Sequence, residues 1–252
     1  MPAIETNAII LSTLRYGETS KIARLATREH GVVSAIAKGA LRPKSRFGTA
    51  LRLLSEGHAG LLLSRHSDLH TLISFDAVKV RTGIADQVER YAIATALSEM
   101  MIRFAPQDPH PASYDFLRDA LDLLEVAPAE AIDVIGLRIL WGMVDRLGFA
   151  PTLDRCVRDA RVVDSESAVL FSTVDGGVLC ASCEQGAEGP RLLGRDRRDL
   201  IELIEGGELP VLDAKHTLAH RRLLDRYVRH HLSESAQLPA LTFWSTRAGA
   251  AS

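Results

Sequence analysis

An α+β chain is predicted: a small N-terminal β-barrel, then a helical domain that carries a short cysteine-bearing β insertion. Three observations predict it. From Ile4 to Val80 short β-like runs alternate with turn residues, and no helical stripe lasts beyond two turns. After Thr82 apolar residues recur with a period near 3.6. Between Pro151 and Gly189 that period is interrupted by a segment holding all three cysteines. The chain has 252 residues, room for two compact units. Its 46% hydrophobic and 25% charged residues exclude a disordered or fibrous class.

In the first region, strands are expected at Thr6 to Arg15, Lys21 to Thr27, Gly31 to Lys38, Ala50 to His58, Gly60 to Arg65 and Leu69 to Val80. Glu29-His30-Gly31 is a hairpin corner, because glycine takes positive φ without steric cost. Five or six short strands over residues 1–80 fit a partly open OB-type barrel, a class whose surface commonly binds nucleic acid strands. An SH3-like barrel is the alternative.

Residues 81–252 form the expected helical domain. A helix from about Ile84 to Phe104 places Tyr91, Ala94, Leu97, Met101 and Phe104 on one face. Pro106, Pro109 and Pro111 mark a loop, since proline inside a helix removes a hydrogen bond. Tyr114 to Leu124 and Ala129 to Leu147 repeat the pattern, the second with Ile132, Ile135, Ile139 and Met143 in phase. Leu200 to Ile204 and Leu212 to Leu232 complete the set, the latter ending in Arg226, Arg229, His230 and His231, charges suited to a helix C-terminus. The insertion, 151–189, holds Cys156, a β pair at Ala168 to Phe171 and Gly177 to Leu179, then Cys180 and Cys183.

The net charge of -2 conceals an asymmetry. Residues 1–80 carry eleven Lys/Arg against six acids, a local charge of +5; residues 81–150 stand at -5. Long-range fields decide which polyions approach, so the first surface attracts phosphate and the second does not. No apolar run approaches the roughly 18 to 20 residues of a membrane helix, and the first fifteen residues do not resemble a signal peptide. Three cysteines make no disulfide framework. A cytoplasmic, nucleoid-associated protein is expected.

Lys38-Gly-Ala-Leu-Arg42-Pro-Lys44-Ser-Arg46 gathers four cations in nine residues, with glycine and proline preventing regular structure. Such a flexible loop would bind phosphates with strong salt dependence and little regard for sequence. The bland reading is a solvated charged face. Phe47 is either a stacking platform or core. Cys156-Val-Arg-Asp159 and Cys180-Ala-Ser-Cys183 have the spacing of two zinc knuckles with aspartate in one slot. Zinc accepts carboxylate as well as thiolate, and a closed four-ligand site is structural rather than catalytic. The other reading is two small cysteines packed at a turn. His216 and His220 lie one helical turn apart, but the general-base glutamate of a metalloprotease helix is missing, so solvent exposure is expected. With no phosphate-binding glycine loop and no nucleophile elbow, no enzymatic activity is expected.

Ala8-Ile-Ile-Leu11, Arg15-Tyr-Gly-Glu18-Thr-Ser20-Lys-Ile22, Gly31 before Val32, Lys38-Gly-Ala40 with Arg42-Pro-Lys44-Ser45, the helix around Tyr91, and Gly148-Phe-Ala-Pro151 to Cys183 occur in one order. In that order the chain resembles the bacterial recombination mediator family RecO along nearly its full length. The resemblance implies an N-terminal OB-fold, a helical C-terminal domain and, in many members, a structural zinc. It implies binding of single- and double-stranded DNA and annealing of complementary strands in the RecF pathway. With RecR, such proteins help RecA replace single-strand DNA-binding protein. Lys38, Arg42, Lys44 and Arg46, with Arg15 and Lys21, carry over as DNA-contact residues. Cys156, Asp159, Cys180 and Cys183 carry over as metal ligands, Asp159 departing from a four-cysteine pattern. Leu41 stands where many members have arginine. Contact with the acidic tail of single-strand DNA-binding protein needs a basic, partly apolar groove, for which Arg221, Arg222, Arg226 and Arg229 are candidates. A protein-binding adaptor with weak nucleic-acid contact is the rival reading.

Overall fold

The computed structural model describes residues 2–105, 108–232 and 237–247; Pro106 of the expected proline loop lies outside them. Two compact units divide at residues 126 and 127.

The first unit opens with strands β1 (Ala3–Tyr16), β2 (Ser20–Thr27), β3 (Gly31–Ala37), β4 (Glu56–Leu62) and β5 (Leu69–Lys79). They close into a barrel of order β1-β2-β3-β5-β4, antiparallel except for β3 with β5. This is an OB-like barrel, and closure leaves no free sheet edge. Its narrow interior is filled mainly by small and branched residues at alternate positions, Ala8 and Ile10, Ala23 and Leu25, Val33, Ala35 and Ala37, Ala59 and Leu61, with Leu72 and Phe75 joining them across an irregularity in β5.

One expected pair of strands is a single strand. Ala50 to Ser55 are not extended, and Glu56 runs through Gly60 without a turn. The physical reason is local. Leu51 inserts into the barrel core, while Leu54 takes a left-handed backbone (φ 65°) from which its amide donates to the Ile10 carbonyl. Regular pairing therefore begins only at Glu56, opposite Ile9.

Helices α1 (Thr82–Ala85), α2 (Val88–Phe104) and α3 (Pro111–Val126) belong to the same unit. Ala92, Ile93, Ala94, Ala96, Leu97, Met100 and Met101 are buried along α2, which packs on β1 and β2. Tyr91, expected on that face, is 43% exposed; the buried stripe starts one residue later. Arg81, with a fully buried side chain, ties barrel to helices: it donates to Glu56 and Asp122, each at 2.6 Å, and to the Leu54 carbonyl at 3.1 Å.

The second unit is built on α4 (Ile132–Arg146), preceded by a 3-10 turn at Ala129–Ala131. It buries Ile135, Leu137, Ile139, Leu140, Trp141, Met143 and Val144. Strands β6 (Val169–Ser172), β7 (Gly177–Leu179) and β8 (Arg191–Leu192) form a small sheet of order β7-β6-β8. Helices α5 (Gly194–Glu205), α6 (Ala214–Leu232) and α7 (Pro239–Thr246) follow; α5 is more than twice its expected length and α7 was not expected at all. No described helix is long and apolar enough to cross a membrane.

Candidate nucleic-acid interface and metal centre

The segment from Lys38 to Ser55 is a succession of turns rather than a slack loop. Gly39 at φ 73° reverses the chain after β3. Arg42, Ser45, Gly48 and Ala50 then donate backbone hydrogen bonds to the carbonyls of Gly39, Arg42, Ser45 and Phe47. Phe47 (2% exposed) and Leu51 (5%) are buried in the barrel core. This settles Phe47 as core, with the Arg46 guanidinium 5.1 Å from its ring centre on the outer side. These bonds and the two buried side chains make the segment an arch anchored on the barrel core.

Arg15 and Lys21 are directly paired across β1 and β2, and Lys21 is directly opposite Ala37 on β3. Lys38 is the next residue. The Leu41 amide donates to the Thr19 carbonyl at 2.8 Å, joining the arch to the turn between β1 and β2. Register and hydrogen bonding therefore bring Arg15, Lys21, Lys38 and the arch to one end of the barrel. Lys38, Arg42, Lys44, Arg46 and Arg15 are exposed and Lys21 half-buried, and among the described residues none forms an ion pair. Cations held together without counter-charges repel one another and attract a polyanion.

In the second unit, Cys156, Asp159, Cys180 and Cys183 converge, one ligand atom from each lying within 4.8 Å of all the others. Two tight turns supply them. Ala160 at φ 59° lets the chain reverse after Asp159, with its amide donating to the Cys156 carbonyl; the Cys183 amide donates to the Cys180 carbonyl. Arg158 braces the pair of turns, reaching Asp175 at 2.8 Å and the Cys183 carbonyl at 2.7 Å. The Cys180 Sγ to Asp159 Oδ2 distance is 3.4 Å. Tetrahedral zinc with bonds of about 2.0 to 2.3 Å requires ligand atoms about 3.3 to 3.8 Å apart, so the donor set fits that ion. The Arg161 amide holds the Asp159 carboxyl at about 2, ready to ligate, while the Cys183 thiol beside Cys180 is pushed up to about 12. Without a cation, this crowd of acids cannot all ionise together.

A pocket of about 400 Å³ between α6 and the junction of β8 with α5 is lined by Leu192, Ala219 and Leu223, by Arg191, Lys215, Arg222 and Arg226, and by Asp196. Of the four arginines singled out on α6, Arg222 and Arg226 reach this pocket. Arg221 does not: it is 2% exposed, donating to Asp133 and to the Arg247 carbonyl and lying 5.1 Å from the Trp244 ring centre. Arg229 is paired with Asp225 at 2.9 Å. Lys215 was missed by sequence reasoning, although its seven-residue spacing from Arg222 puts both on one helical face. His220, expected to be exposed, is 3% exposed, and only His216 lies part-way out. Two histidines one turn apart share a face, but the spacing does not say which face is covered.

The model of the family "Recombination protein O N terminal" matches residues 1–81, and that of "Recombination protein O C terminal" matches residues 85–239. Similar curated proteins include DNA repair protein RecO of Rubrobacter xylanophilus, 29% identical over 100% of this chain and 98% of that protein. DNA repair protein RecO of Anaeromyxobacter dehalogenans strain 2CP-C is 30% identical over 92% of each. That of Heliobacterium modesticaldum is 29% identical over 83% of this chain and 80% of its own.

Proposed function

Because the chain belongs to the RecO family of DNA repair proteins, we propose that its barrel binds single- and double-stranded DNA and anneals complementary strands without chemistry on either. The observation that carries this reading is the set of unpaired cations, Lys38, Arg42, Lys44 and Arg46 with Arg15 and Lys21, at one end of the barrel. Each phosphate they neutralise releases counterions, with a salt slope of about 0.7 per contact on a single strand and about 0.9 on a duplex. The arch that presents them is anchored by Phe47 and Leu51, so little ordering opposes binding. Two strands neutralised on such a surface repel each other less and can pair.

In this reading Cys156, Asp159, Cys180 and Cys183 hold a structural zinc that fastens residues 151–189, and it takes no part in strand pairing. The pocket lined by Lys215, Arg222 and Arg226 suits an acidic, partly apolar peptide, which supports contact with the tail of single-strand DNA-binding protein. Acting with RecR, the protein then helps RecA replace that protein on DNA.

The test is reversal of Lys38, Arg42, Lys44 and Arg46 to glutamate, followed by a salt-titrated comparison of single-stranded and duplex binding and of annealing rate. All four side chains are exposed, so the melting temperature should hold. Annealing at low salt should fall by about tenfold or more. An unchanged rate would sink the DNA-loop reading and favour a protein adaptor.

A further inference from the structure

Helices α5 and α6 each present a pair of ligating side chains one turn apart. Asp196 and Asp199 lie at i and i+3 on α5; His216 and His220 lie at i and i+4 on α6. The ligating atoms of Asp196, Asp199 and His220 are all within 4.8 Å of one another. His216 Nε2 is 3.9 Å from Asp196 Oδ1. From this convergence we infer a second divalent-cation site, distinct from the cysteine centre and selective for a zinc-class ion, formed by Asp196, Asp199 and His220, with His216, which stands beside Asp196 outside that three-residue group, turning in as fourth ligand.

The independent pointer is the state of the buried partners. His220 is 3% exposed, yet its Nδ1 has no hydrogen-bond partner; Asp199 Oδ2 is buried and accepts no hydrogen bond. Buried polar atoms left without partners are costly, and because a ligating atom of each of these residues converges in one cluster, one cation there would give both side chains a partner.

The surroundings are consistent. Asp213 accepts from His216 Nδ1 at 2.7 Å, which leaves the Nε2 lone pair turned towards Asp196, the arrangement that orients metal-bound histidines. Asp196 also caps α5 by accepting from the Leu193 amide at 3.3 Å, so its position is fixed before any ion arrives. Arg195 stands 3.7 Å from Asp199 Oδ2 while one of its Nη atoms donates to the Val211 carbonyl at 2.9 Å. That positive charge, with two carboxylates rather than several, disfavours hard cations such as calcium. The mixed imidazole and carboxylate donor set suits zinc. Asp196, His216 and His220 all line the α6 pocket, which gives the ion an entry path.

Cadmium NMR on the full chain separates the two centres, because thiolate-rich and nitrogen/oxygen sites give well-separated shifts. After chelation and reloading with cadmium, two resonances are expected. The thiolate one should vanish in a Cys180→Ser, Cys183→Ser variant while the nitrogen/oxygen one persists. His220→Gln and Asp199→Asn should each remove the nitrogen/oxygen resonance and spare the other. In the cysteine variant, Asp213→Asn should weaken zinc binding about tenfold. A wild-type spectrum with no nitrogen/oxygen resonance overturns the inference, the orphans then being satisfied by water alone. So does a resonance that survives both His220→Gln and Asp199→Asn. Should His220→Gln not fold, the wild-type spectrum and Asp199→Asn decide. A missing thiolate resonance counts against the cysteine centre and leaves this site standing.

Discussion

Arginine does opposite work at the end of the barrel and inside the folded units. At the end of the barrel, Arg42 and Arg46 are exposed and, among the described residues, form no ion pair, whereas Arg81 in the same unit is buried against Glu56 and Asp122. In the second unit, Arg138 binds the carbonyls of Glu202, Gly207 and Glu208, Arg158 binds Asp175, Arg197 binds the Asp164 carbonyl, and Arg221 binds Asp133. A guanidinium aimed at a carbonyl or carboxylate of its own chain holds that chain together and is lost to outside partners. Net charge therefore understates the difference. Part of the +5 of residues 1–80 is likewise taken up, Arg28 by Asp115 and Lys79 by Asp122, but the cations at the end of the barrel stay available, whereas much of the second unit's positive charge is neutralised within the fold.

The sharpest way to break this contrast is to remove one arginine of the second kind. Arg221→Ala leaves Asp133 without its partner and opens the space beside Trp244. A loss of about 3 to 5 kcal/mol in unfolding free energy is expected, read by denaturant titration, with DNA binding of the remaining folded protein unchanged. A variant that melts normally but binds DNA poorly would undo the distinction.

Next in size is a pH effect confined to the second unit. His220 titrates near 6.5 when unfolded and at about 4 when folded, so between those values the unfolded state binds more protons. Stability from this residue is fully present above pH 6.5 and is lost as pH falls towards 4, by about 3 kcal/mol in all. The half-buried His231 ring, also lowered by burial, adds with the same sign. Asp199, raised by burial, acts oppositely at the acid end. Subtracting a His220→Gln titration from that of wild type, both in chelator, isolates the first contribution. Identical slopes would show that His220 is not buried neutral.

How much of this was legible follows from what each pattern encodes. Short β-like runs bounded by turn residues made the barrel legible, and Ala23, Leu25, Val33, Ala35 and Ala37 of β2 and β3 lie in its core. Residues 50–55 look similar, but whether a leucine lies in a strand or plugs its end depends on the Leu54 backbone, which composition does not reveal. The cysteine cluster was legible because its ligands are close in sequence and chemically rare. The Asp196, Asp199 and His220 cluster was not, because two of its three residues come from the charged start of α5, Arg195-Asp196-Arg197-Arg198-Asp199, which reads as a solvated face. Helix α7 escaped notice because eight residues are too few to establish a period, although Leu241 and Trp244 are buried within it.

A smaller effect tests the barrel side alone. Lys44 is exposed and forms no ion pair among the described residues, so Lys44→Ala should leave the melting temperature within about 1 °C, since surface substitutions change stability little. It should lower the salt slope of single-strand binding by about 0.7, which near 0.1 M salt is roughly a fivefold loss of affinity. A lower affinity with an unchanged slope would mean that Lys44 does not meet a phosphate.

The smallest expected change runs in the other direction. Leu41 is 39% exposed within the cationic arch, and its backbone is fixed by the hydrogen bond to Thr19. Leu41→Arg adds a cation at a position already ordered, so the conformational cost of using it is only that of its own side chain, about 2 kcal/mol at most. The new charge also meets repulsion from Arg42 and Lys38 in the free protein, which DNA binding relieves. The salt slope should therefore steepen by up to about 0.7, and affinity for a single strand should rise about two- to fivefold at 0.1 M salt. An unchanged slope would show that position 41 points away from the strand, and would narrow the interface to Lys38, Arg42, Lys44 and Arg46.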